Sequence, residues 1–98
     1  MITTLKHPRM QAAIAELKGM IEREYPNVQF RVYRGEDPVA VYIDVLTPVD
    51  NTLEIGRLIS ERELQMHLDE GLEVYVVPGY APPHNGEREQ VRDRRAAR

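Results

Sequence analysis

The chain has 98 residues, 42% of them apolar, and a net charge of −3, which suits one domain with a single core and is too short for two. It contains no cysteine, so disulfides, thiolate metal sites and cysteine nucleophiles are excluded, and its acidic balance opposes general binding to nucleic-acid phosphates. No apolar run approaches the ~18 residues that span a bilayer, and the N-terminus lacks the apolar segment of a signal peptide; the expectation is a soluble, cytoplasmic protein without a membrane partner.

The first predicted element is a helix. Pro8 suits the first helical position, where a missing N–H costs nothing, and His7 stands at the N-cap. Met10, Ala13, Ile14, Leu17, Met20, Ile21 and Tyr25 recur at three- and four-residue spacing, the mark of one apolar stripe. Pro26 stops the helix near Tyr25. Gly19 interrupts it at about 1 kcal/mol relative to alanine, an expense that close packing would justify.

Val28 to Arg34 alternates strictly, with Val28, Phe30 and Val32 on one side and Gln29, Arg31 and Tyr33 on the other, as a strand does. Gly35-Glu36-Asp37-Pro38 is a turn cluster short enough for a hairpin. Pro38 to Leu46 is the longest β-branched apolar run in the chain. Val39, Val41, Ile43 and Val45 fall on one face and Ala40, Tyr42, Asp44 and Leu46 on the other, a pattern for a central strand.

Asn51 with Glu54 reads as a capping-box-like pair opening a second helix. Leu53, Ile55, Leu58 and Ile59 begin an amphipathic pattern, but Arg62 takes an expected apolar position while Leu64, Met66 and Leu68 alternate. One helix from about Thr52 to Asp69 is expected, with a break near Ser60 as the alternative. Gly71 suits a left-handed cap. Leu72 to Val77 is the third strand, ended by Pro78-Gly79. The domain therefore runs over residues 1–79. Residues 80–98 read as a Pro-containing loop with His84, then a charged, disordered tail from Glu87 to Arg98.

The order αββαβ joins the first two strands as an antiparallel hairpin and the last two through a helix, hence parallel with a right-handed crossover. The fold expected is α+β: a two-layer sandwich with a mixed three-stranded sheet, order 1-2-3, and two helices on one face. The opposite face is then uncovered and carries Arg31, Tyr33, Tyr42, Asp44, Leu46, Glu73, Tyr75 and Val77. Three tyrosines among a few charges are neither core nor simply wet. A partner explains them, and the simplest partner is a second copy of the chain meeting this face or its edge; a solvent-exposed sheet that merely tolerates its tyrosines is the alternative. A homodimeric binding or interaction module, with no catalytic activity and no cofactor, is the functional expectation.

Two other readings follow from particular residues. Aromatic side chains on an open sheet can stack single-stranded RNA bases, but Asp44 and Glu73 among the tyrosines oppose its phosphates. Glu63, His67 and Glu70 share one helix face at i, i+4 and i+7 and make a weak candidate metal site; a solvated charged face is the plainer account. Ser60, the single serine, lacks a nucleophile-elbow context.

The order of elements, with Arg34-Gly35 after the first strand, the strand Val41-Tyr42-Ile43-Asp44-Val45 and the ending Val76-Val77-Pro78, resembles the cytoplasmic domains of cation diffusion facilitators over Ala12 to Pro78. The resemblance implies a small metallochaperone-like module that dimerises and binds metal in a regulatory role. Tyr75 stands where that family carries a histidine.

Overall fold

A computed structural model describes residues 1–80; the loop and tail expected over 80–98, His84 included, lie outside the described residues apart from Tyr80. Helix α1 spans Pro8–Glu24, strand β1 Gln29–Glu36, strand β2 Val39–Thr47, helix α2 Thr52–Asp69 and strand β3 Val74–Tyr80. The sheet is mixed with order β1-β2-β3, antiparallel between β1 and β2 and parallel between β2 and β3. The expected α+β architecture is the one observed.

Each element forms for a legible reason. His7 Nδ1 accepts from the Arg9 backbone N–H at 3.1 Å and Pro8 follows it, so α1 starts on a capped turn. The stripe Met10, Ala13, Ile14, Leu17 and Ile21 is buried. It meets Ile55, Ile59 and Met66 of α2, Val41, Ile43 and Val45 of β2, and Leu72 and Val74 in one core cluster. These sheet residues share one face, so both helices cover that side. Gly71, at φ 68°, ends the α2 turn in the left-handed region where a Cβ is strained.

Several local expectations are corrected. Asn51 makes no capping bond, because a short 3₁₀ turn over Val49–Asn51 already holds it in helical geometry. Its Nδ2 instead donates to Thr47 Oγ1 at 3.1 Å, and Thr47 is the one buried polar residue among the described residues. The single helix expected over Thr52 to Asp69 is kept: α2 is continuous through Ser60, whose Oγ donates back to the Arg57 carbonyl at 3.3 Å. Gly19 is not demanded by packing, since a Cβ there would meet only Arg23 Nη1 at 3.8 Å. Val39, expected against the helices, is 38% exposed because β2 begins beyond the helix layer.

Strand β3 runs through Pro78-Gly79 rather than stopping before them. The Val41 N–H donates to the Glu73 carbonyl at 2.9 Å, which turns the backbone groups of Val74, Val76 and Pro78 away from β2 by strand alternation. Pro78 therefore lacks an N–H only on the outer edge, where no ladder bond is lost.

The irregular apolar spacing in α2 also resolves. Met66 is buried, while Leu64 and Leu68 point outward with Leu53, at 54%, 74% and 64% exposure. Arg62 faces α1: its Nε and Nη2 bind Glu16 at 2.6 and 3.1 Å, and its Nη1 binds Glu70 at 2.7 Å. That guanidinium ties the two helices together at the rim of the core.

Candidate functional site

The residues expected on the uncovered face share it in register. Arg31 opposes Asp44 and Tyr33 opposes Tyr42 across β1 and β2; Tyr42 opposes Tyr75 and Asp44 opposes Val77 across β2 and β3. Directly opposed side chains lie on one face of a sheet, so this placement follows from the ladder. Leu46 and Val77 lie toward the far end of the face, 37% and 43% exposed.

The tyrosines form a row. Ring centroids are 5.5 Å apart for Tyr33 and Tyr42 and 5.9 Å for Tyr42 and Tyr75, with interplanar angles of 24° and 26°. Both distances lie in the range where offset aromatic pairs attract. The row continues round the edge of β3 to His67, whose ring is 4.6 Å from that of Tyr75. Tyr42 is its keystone. A Cβ on Gly35 would fall 2.5 Å from Tyr42 Cε2, so the ring lies directly over that glycine, and its hydroxyl donates to the Pro38 carbonyl at 2.7 Å.

Charge on this face is locally balanced. Arg31 Nη2 reaches Asp44 Oδ2 at 2.8 Å, with the arginine side chain 71% exposed and the aspartate 15%. The same guanidinium lies 5.6 Å from the Tyr33 ring centroid, within cation–π reach. Tyr75 donates to Glu73 Oε1 at 2.9 Å. That hydrogen bond, followed by burial, holds the Tyr75 hydroxyl above its ordinary range, and burial does the same to Tyr42. The shift runs opposite to what a phenolate base or nucleophile needs. Tyr42 and Tyr75 therefore present neutral, hydrogen-bonded hydroxyls.

Glu63, His67 and Glu70 each have an internal partner. Glu63 Oε2 accepts from the Val76 backbone N–H at 2.6 Å, His67 Nε2 donates to the Val74 carbonyl, and Glu70 is held by Arg62. Among the described residues no group of three or more His, Asp or Glu is placed to hold a metal ion. Glu63 and His67 instead satisfy two outward backbone groups of β3, the Val76 N–H and the Val74 carbonyl. The lead-in to that strand is secured by Ile2, which donates to the Gly71 carbonyl at 2.6 Å and accepts from the Glu73 N–H at 2.8 Å.

This edge-sealing set was not visible in the sequence. A helix carrying Glu and His at i and i+4, directly before a strand, is the only signal available for it.

Compared with known proteins, the chain matches no family model, no curated protein and no solved structure. No described helix is long and apolar enough to cross a membrane.

Proposed function

We propose that this protein is a homodimeric interaction module that meets its second copy through the open sheet face or the edge of that face, acting without catalysis of its own in the cytoplasm. The observation that carries the reading is the row Tyr33–Tyr42–Tyr75, half-exposed on a face with no covering element among the described residues. Rigid tyrosines offer large contact area at low entropic cost and keep a hydroxyl for hydrogen bonding, which is why they are enriched at interfaces. Pairing of Arg31 with Asp44 removes the main charge that contact would otherwise bury alone.

The two rival readings have less support. The carboxylates of Glu63 and Glu70 and the Nε2 of His67 are engaged inside the chain, so a metal would have to displace three existing bonds. Asp44 and Glu73 among the tyrosines oppose an RNA backbone.

Light scattering at high protein concentration tests the proposal. A mass of twice the chain is expected, and a monomer at hundreds of micromolar defeats it.

A further inference from the structure

The two outer edges of the sheet differ in one respect that bears on how copies of the chain meet. At β3 the outward carbonyl of Val74 and the outward N–H of Val76 are bonded by His67 and Glu63. At β1 the outward groups belong to Phe30, Val32, Arg34 and Glu36, because the Val41 N–H points to β3 and so makes Arg34–Val41 a non-hydrogen-bonded pair of the hairpin. Among the described residues nothing bonds to any of these groups. The side chains follow the same contrast. Val74 is fully buried, whereas Phe30 and Val32 on the same face are only half-buried, so β1 projects past the helix layer.

We infer that β1 is the seam of the homodimer: two copies pair their β1 strands antiparallel about a two-fold axis centred on Tyr33, giving one six-stranded sheet. The inference rests on the homodimer reading and specifies where that dimer is joined.

Charge and geometry select this register. In an antiparallel pair about a two-fold axis, opposed residues share a face and the central residue meets its own copy. Centring on Arg31 or Arg34 sets a guanidinium against itself, which is unfavourable. Centring on Val32 opposes Glu36 with Val28, which precedes the strand. Centring on Tyr33 opposes Phe30 with Glu36 and Val32 with Arg34, and uses every outward backbone group of β1.

Tyr33 then occupies a non-hydrogen-bonded site, where Cα atoms approach to about 4.5 Å and side chains are closest. The two tyrosine rows meet there across the axis. In this register Arg31 opposes Gly35 and Arg34 opposes Val32 of the second copy, so no arginine meets its own copy.

Because the chain has no cysteine, single cysteines are clean probes. Under mild oxidation Tyr33→Cys should convert most of the protein to a disulfide-linked dimer, the Cα spacing falling within disulfide range. Leu64→Cys, on the outward face of α2, should not. Val32→Pro deletes one outward N–H from an edge strand, where proline is tolerated, and should halve the mass in light scattering while the far-ultraviolet circular dichroism is kept.

A wild-type monomer overturns both the homodimer reading and this inference. A dimer that cross-links through Leu64→Cys but not Tyr33→Cys, or that survives Val32→Pro, keeps the homodimer and overturns the β1 seam. If Val32→Pro misfolds, the cysteine pair alone decides.

Discussion

Among the described residues strands β1 and β3 each have one side without a neighbouring strand, but only β3 has outward backbone groups, the Val74 carbonyl and the Val76 N–H, met by side chains of α2. The difference follows from connectivity. Helix α2 leads straight into β3, so residues on its flank run alongside that strand and can reach its backbone. Helix α1 feeds β1 through Tyr25 to Val28, and its apolar stripe is taken up by the core beyond. An unpaired edge is a template for another chain unless it is blocked. In this molecule one edge is blocked at two backbone groups by hydrogen bonds and the other is left with paired charges only.

The widest test of that contrast uses one residue type at both edges. Val74→Ala should cost about 2–3 kcal/mol and Val32→Ala about 1 kcal/mol in urea unfolding of dilute protein, since only the first valine is fully enclosed. Equal losses would erase the asymmetry.

Gly35→Ala sharpens the β1 side. Its new Cβ collides with Tyr42 Cε2 at 2.5 Å, so the ring must leave the row at a cost of about 1–2 kcal/mol, seen also as a changed near-ultraviolet tyrosine signal. On the β3 side, Glu63→Ala strands the Val76 N–H and should cost about 1–2 kcal/mol. It should also increase self-association in sedimentation, whereas Glu63→Gln, still able to accept that bond, should not.

The smallest effect is set by pH at the helix junction. The hydrogen bond from Arg62 holds the Glu16 carboxyl below its ordinary range. Its folded-state pKa lies below the unfolded one, so its contribution is present above the unfolded pKa and disappears as pH falls through the folded value. Glu16 is more than a third exposed and screened by water, which limits the effect to less than about 1 kcal/mol. Wild type should lose its advantage over Glu16→Gln on acid titration, and a constant difference down to pH 2 would contradict the pairing.

The composition of the open face was legible from the strand period alone, because alternation assigns each side chain a face once the strands are recognised. Two-residue spacing brought Tyr33, Tyr42 and Tyr75 to that face with Arg31 and Asp44. The expected hairpin, parallel crossover and central position of Pro38–Leu46 came from the order of elements and the burial of both faces of that run. The roles of Glu63, His67 and Arg62 were not legible. Their spacing on a helix is the same whether they face solvent, a metal or a strand edge, and only the approach of β3 and α1 decides among these.

Local periodicity and chain order by themselves determined the α+β layering, the sheet order and the uncovered tyrosine face, since these depend on side-chain direction and connection length. Which edge of the sheet is sealed, why β3 tolerates Pro78, and how Tyr42 sits over Gly35 were decided by the tertiary structure. Each depends on distances between segments far apart in the chain, and no local pattern encodes them.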